Sequence, residues 1–150
     1  QEYYVEKKGK PRIKKVIYEG SKVAKVNEST IKQIKSSDLI IIGPSNPLLS
    51  IGPVLSLTKL KKEISTHDNV VIISPFIEKN AIKGPSKKNF EDMGFSPDIK
   101  GIKKFYKNIG NKYIVHFGES DNKVNTIEEN ILFKKIIDSQ NLARKIVNNE

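Results

Sequence analysis

The run Asp38-Leu39-Ile40-Ile41-Ile42-Gly43-Pro44-Ser45-Asn46-Pro47-Leu48-Leu49-Ser50-Ile51-Gly52-Pro53 constrains this chain more than any other stretch. Four apolar residues without alternation describe a strand covered on both faces, the kind found in parallel sheets flanked by helices. The strand empties at once into Gly, Pro, Ser and Asn. Pro44 and Pro47 remove backbone donors and limit the turns open to Ser45 and Asn46, which places two small polar side chains at the carboxyl edge of a sheet, where open α/β folds bind ligands. The same residues also spell an ordinary strand-to-helix connection, in which Ser45 or Asn46 forms a local turn and Ser50 caps the next helix. A second transition of the same kind, Asn69-Val70-Val71-Ile72-Ile73-Ser74-Pro75 followed by Ala81-Ile82-Lys83-Gly84-Pro85, favours a crevice, because two such strand ends can face each other.

Along the rest of the chain, Tyr3 to Val5 and Ile13 to Tyr18 read as strands, joined by the basic turn Lys7-Lys8-Gly9-Lys10-Pro11. A helix follows from about Glu28 to Ser36, capped by Asn27 or Ser29, and another from about Val54 to Ile64. Ser86 to Met93 is helix-compatible and stops at Gly94; Ser96-Pro97-Asp98 then opens a helix with Ser96 as cap and Ile99, Ile102, Lys103 and Tyr106 on one side. Tyr113 to Phe117 and Lys123 to Ile127 read as strands, and Ile131 to Val147 as a terminal amphipathic helix. Strands alternating with helices imply one α/β domain over residues 1–150, a three-layer, mostly parallel, Rossmann-like sheet with helices on both faces.

Composition excludes several classes of function. With no cysteine, disulfides, thiolate catalysis and cysteine-ligated metal sites are ruled out. No apolar run reaches the roughly 18 residues that span a bilayer, and Gln1-Glu2-Tyr3-Tyr4 is not a signal peptide, so no membrane association and a cytoplasmic location are expected. The net charge of +10 comes from 27 Lys and Arg residues, of which only Arg12 and Arg144 are arginines. Scattered lysines cover solvated faces more than they read bases, and the aromatic residues do not interleave with them as a stacking platform would, so nucleic acid is not the expected partner. A negatively charged diphosphate would still be drawn to this field.

The two strand-end segments, taken with their spacing, closely resemble the 2-phospho-L-lactate transferase family, which makes the 5-deazaflavin coenzyme F(420). The matching residues are Gln1-Glu2-Tyr3-Tyr4-Val5, Pro44-Ser45-Asn46-Pro47, Ser50-Ile51-Gly52-Pro53, Ser74-Pro75, Lys83-Gly84-Pro85 with Lys88, Gly94, and Gly101 followed by Tyr106. The order holds to about residue 106 and thins beyond it. This resemblance implies a transferase. The ribityl hydroxyl of a 7,8-didemethyl-8-hydroxy-5-deazariboflavin precursor attacks the diphosphate of a lactyl-2-diphospho-5'-guanosine donor, GMP leaves, and phospholactate stays on the flavin. Mg2+ is the implied cofactor, the guanosine-diphospho-lactate donor and the deazaflavin acceptor are the implied partners, and a homodimer is open. Such chemistry rests on alignment and charge compensation rather than on a covalent intermediate.

Gln1 matches a position in the middle of the family. No GxGxxG, no GxxxxGK-S/T and no Gly-Gly-Thr-Gly string occurs here, so the chain reads as the family's carboxyl-terminal half, without the amino-terminal nucleotide and metal half. The implied donor-binding residues are Ser45, Asn46, Pro47, Ser50, Gly52, Ser74, Lys83 and Gly84, with Lys83 as an electrostatic catalyst beside the diphosphate; metal ligands are unassigned. Asn46 suits a base or ribose because an amide donates and accepts at once. Ser45 and Ser50 have no His or Lys at motif spacing and read as binders rather than nucleophiles.

Two departures from the family stand out. Glu78-Lys79 replaces two glycines that many relatives carry, bringing side chains and a carboxylate to a loop that could otherwise approach phosphate by backbone alone. His116 stands at a strand end where relatives tend to have Asp. His67, among Ser65, Thr66 and Asp68, reads as a solvated loop residue. The alternatives are a non-enzymatic nucleotide-sugar-binding regulator of the same superfamily and a structural half that completes a dimer or a split enzyme.

Overall fold

Val70 to Ile73 is buried at every position, as its unbroken apolar run demands, and it sits inside the sheet with a parallel neighbour on each side. The computed structural model describes residues 2–82 and 85–148. In chain order its elements are α1 (Glu28–Ser36), β1 (Ile40–Ile42), α2 (Gly52–Leu55), α3 (Thr58–Ser65), β2 (Val70–Ile73), β3 (Phe76–Ile77) and β4 (Asn80–Ala81). They continue with α4 (Ser86–Asp92), α5 (Ile99–Phe105), β5 (Lys112–Val115), β6 (Thr126–Glu128) and α6 (Ile136–Asn148). π-Helical turns cover Glu2–Glu6 and Pro47–Ile51.

The four-stranded sheet has the order β1-β2-β5-β6 and is parallel throughout, with Ile41 opposite Val71 and Ile72 opposite Tyr113. Helices cover both faces, which makes the three-layer, Rossmann-like arrangement expected from the strand pattern. One face carries the larger core: Ile42, Val70, Ile72 and Val115 pack against Ile31, Leu60, Phe90 and Ile102 from α1, α3, α4 and α5, and against Tyr106, which caps the end of α5. On the other face, Val71, Ile73 and Ile114 meet Ile131 and Leu142 beneath α6, while Ile41 of β1 stays 46% exposed.

Parallel strands joined without a helix need another crossover, and the link from β5 to β6 is held by one lysine. Lys103 Nζ on α5 donates to both Asp121 carboxylate oxygens at 3.0 and 2.8 Å, to Asn125 Oδ1 at 3.0 Å and to Thr126 Oγ1 at 2.7 Å. Burial alone would raise the Asp121 carboxyl, but hydrogen bonds from Lys103 and Thr126 outweigh it and hold it below the ordinary value.

Several local expectations hold. The Asn27 side chain caps α1 by accepting from Ser29 N at 2.9 Å, and Gly94 ends the α4 segment with a positive φ of 80°. Others are corrected. Tyr3 to Val5 is a π-helical turn rather than a strand, because Tyr3 and Tyr4 both reach Asn89, whereas a strand would send consecutive side chains to opposite faces. Ile13 to Tyr18 joins no sheet; Ile13 N donates instead to Asp92 Oδ2 at 2.8 Å, and Ile17 is exposed.

The helix expected over 54–64 breaks between α2 and α3, where the Ser56 hydroxyl bonds back to Pro53 O at 2.6 Å and Leu57 turns extended. Asp98, not Ser96, caps α5, accepting from Gly101 N at 3.0 Å; the Ser96 carbonyl packs where a Cβ on Gly101 would lie. The terminal helix starts at Ile136 rather than Ile131, which instead fills the second core from irregular chain. The last strands are Lys112–Val115 and Thr126–Glu128, and Phe117 is exposed. His67 is half-buried rather than solvated: its Nδ1 accepts from Asn69 N at 3.1 Å, so its Nε2 donates to Ser37 O at 2.8 Å.

Candidate functional site

The loops after β1 and β2 face each other across a cleft of about 430 Å³, lined by Tyr4, Pro44, Ser45, Asn46, Ser50, Pro75 and Ser86, with Leu49 and Pro85. The cleft lies at the carboxyl ends of parallel strands, where the sequence placed it.

Its first wall is built by Asn46. The Asn46 Oδ1 accepts from Leu48 N at 3.0 Å and Leu49 N at 3.1 Å, capping the Pro47–Ile51 turn. The acceptor half of the amide is therefore used by the loop, and the donor half is the part that can serve a ligand. Ser45 N donates to Gly43 O at 2.8 Å and Ser50 N to Asn46 O at 3.0 Å, so this wall is a set of tight, locally bonded turns.

Other residues of the sequence-derived set support the wall from beneath. Pro47 and Gly52 are buried. Tyr18 donates from its hydroxyl to Leu48 O at 2.6 Å, and a Cβ on Gly52 would fall on that hydroxyl. Ser74 is 2% exposed; its hydroxyl accepts from Phe76 N at 3.1 Å and lies 3.2 Å from Phe76 O, within the turn that leads β2 into β3. Its neighbour Pro75 is the part of that turn that lines the cleft.

The second wall comes from the start of α4. Phe90 anchors this helix to β2's end by stacking near Phe76, Phe95 and Phe105 with ring centroids 5.2, 4.9 and 5.7 Å away. Pro85 and Ser86 are thereby carried to the cleft. Lys83 and Gly84 lie outside the described residues. Lys88 points elsewhere, donating to Pro11 O at 2.7 Å and Asp92 Oδ2 at 2.6 Å.

Tyr106 does not reach the cleft; it is 1% exposed in the main core, and burial raises its phenol strongly. The Glu78-Lys79 tip also stays out of it. Both residues have positive φ, 51° and 59°, in the two-residue turn of the β3–β4 hairpin. They border a neighbouring hollow with Asp98 and Glu119, and Glu78 N donates to the Glu119 carboxylate. Burial raises Glu119, with the Glu78 amide partly opposing it.

Tyr4 and Ser86 also line the cleft, although the sequence pattern assigns neither to the site. The Gln1-Glu2-Tyr3-Tyr4-Val5 match was the signal available for Tyr4. The described lining holds hydroxyls, one carboxamide and prolines, with no carboxylate, histidine or lysine. Its serines can therefore bind and orient a polar ligand, but no base stands among them to make a nucleophile.

Residues 1–148 match the family described as 2-phospho-L-lactate transferase CofD. A 2-phospho-L-lactate transferase of Methanocaldococcus jannaschii is 36% identical over 97% of this chain and 48% of its own length. The Methanococcus vannielii transferase is 34% identical over the same shares, and that of Methanopyrus kandleri 36% identical over 73% of this chain and 35% of its own length. The chain spans about half the length of the curated relatives it matches. With this match and the cleft between its strand ends, the chain belongs to the 2-phospho-L-lactate transferase family.

Proposed function

We propose that the cleft between the β1 and β2 loops holds the guanosine-diphosphate end of a lactyl-2-diphospho-5'-guanosine donor, within a transferase that passes the phospholactyl group to a deazaflavin's ribityl hydroxyl. The observation that carries this reading is the convergence of Ser45, Asn46 and Ser50 with Ser86 in one cleft of a chain belonging to this family. In the reaction the ribityl oxygen forms a bond to phosphorus as the bond to the GMP oxygen breaks. The acceptor loses a proton and GMP leaves with the bond's electron pair. The protein's share is to align the two oxygens and exclude water.

In this reading the serine hydroxyls and the Asn46 Nδ2 orient the donor, on turns already fixed before a ligand arrives. Lys83, two residues before Pro85 in sequence, supplies positive charge for the leaving phosphate. The described residues do not fit a divalent cation. The described lining of the cleft offers no carboxylate, and among the described residues no group of three or more His, Asp or Glu could hold a metal. In this reading the remaining contacts to donor, acceptor and any cation come from the part of the relatives' length that this chain does not match.

The test joins the chain to the unmatched portion of a relative's transferase and supplies donor, deazaflavin and Mg2+. Formation of GMP and phospholactyl-deazaflavin by the joined protein, with none from the 150-residue chain alone, is expected. Turnover by the chain alone would overturn this division of the site. Absence of GDP binding to the chain by calorimetry would remove the donor from the cleft. No helix among the described residues is long and apolar enough to cross a membrane.

A further inference from the structure

Tyr3 and Tyr4 are consecutive, yet one buried side chain grips both. Asn89 on α4 is fully buried; its Oδ1 lies 3.0 Å from the Tyr3 hydroxyl and its Nδ2 donates to the Tyr4 hydroxyl at 2.6 Å. The two rings meet edge to face at 5.1 Å. From there their fates diverge. Tyr3 turns inward, with its hydroxyl also 2.9 Å from Gly9 O, whereas Tyr4 keeps 38% of its surface exposed and lines the cleft.

A tyrosine held at its polar end by a buried amide, with its ring left open to a cleft, has lost its conformational freedom without hiding its apolar surface. Burial raises the Tyr4 phenol even though the hydrogen bond from Asn89 opposes the shift. The rest of the lining is of two kinds. Pro44, Pro75 and Pro85 offer apolar surface and no amide donors, whereas Ser45, Asn46, Ser50 and Ser86 offer hydrogen bonds. A ligand that satisfies both has a flat ring and a polar or phosphorylated tail.

We propose that Tyr4 is the stacking platform of this cleft, a specificity-determining residue that takes a planar heteroaromatic ring of a substrate. This rests on the transferase reading above. The ring could belong to the donor's base or to the flavin, and the two are separated by using GMP and riboflavin as probes. Stacking on an aromatic side chain is commonly lost at a cost of tenfold or more in affinity.

Calorimetry on the whole chain should show Tyr4→Leu binding one of these probes at least tenfold more weakly than wild type, and Tyr4→Phe within about threefold, since the ring remains. The probe affected names the ring. Equal binding by Tyr4→Leu and wild type, at equal melting temperature, overturns the platform and leaves the functional reading standing. An equal loss in Tyr4→Phe also overturns it, because the hydroxyl and not the ring would then matter. Failure of wild type to bind either probe overturns both readings. The chain has no tryptophan, so Tyr4→Trp provides a single reporter should Tyr4→Leu not fold. Its emission must change with the bound probe, and an unchanged spectrum at saturation sinks the proposal.

Discussion

The Tyr18 hydroxyl occupies the space that a Cβ on residue 52 would need, and it donates a 2.6 Å hydrogen bond to the Leu48 carbonyl. Gly52 therefore lets a strut from irregular chain brace the first wall of the cleft from below. The expected consequence is an order of severity. Gly52→Ala forces the ring out and should cost about 2 to 3 kcal/mol by overpacking. Tyr18→Phe loses only the hydrogen bond, about 1 kcal/mol. Urea denaturation of the two variants checks it, and equal losses would show that the close packing at Gly52 is unimportant.

Asn46 commits its amide oxygen to the loop and lines the cleft. Asn46→Ala removes the cap of the Pro47–Ile51 turn and should cost about 1 kcal/mol of stability. Asn46→Asp keeps the accepting oxygen and removes the donor, so it should retain nearly wild-type stability while GDP binding falls about tenfold. Paired melting and calorimetry separate the two roles. If the Asp variant binds GDP as wild type does, Asn46 is only a loop residue.

What the sequence disclosed and what it hid follow from where each interaction closes. β1, β2 and the capped α1 were legible because an apolar run, or an Asn ahead of a periodic segment, carries its own cause within a few residues. The cleft's first wall was legible for the same reason, since Pro44 to Ser50 bond mostly to one another. Tyr3 to Val5 misleads because its conformation is decided by Asn89, 85 residues from Tyr4. Gly52 is the subtler case. Spacing cannot tell a glycine that admits a ligand from one that admits Tyr18.

The lysine that ties α5 to the β5–β6 crossover makes a pH-dependent contribution. Asp121 is held below its ordinary value of 3.8, so the stabilisation it provides is complete above that pH and is lost as pH falls through the lower folded value. Asp121→Asn should flatten the acid side of the stability profile below about pH 5. Lys103→Met, which leaves a largely buried carboxylate unpaired, should cost about 3 kcal/mol at neutral pH. An acid limb of unchanged slope in Asp121→Asn would place the titrating group elsewhere.

The β3–β4 turn is the place where the chain should improve most easily. Glu78 and Lys79 both occupy left-handed backbone, a conformation that costs side-chain-bearing residues about 1 kcal/mol each and that glycine adopts freely. Lys79 has the higher φ, 59°, and its backbone demand is met by the residue type preferred at that position of a two-residue hairpin. Lys79→Gly should therefore stabilise the chain by roughly 0.5 to 1 kcal/mol, the larger unfolded-state entropy of glycine offsetting part of the relief. Lys79→Ala, which keeps the Cβ, should give no such gain. Because the tip borders the neighbouring hollow and not the cleft, GDP affinity should stay at the wild-type value in both variants. A gain in GDP affinity with Lys79→Gly would instead bring the hairpin tip to the bound phosphates.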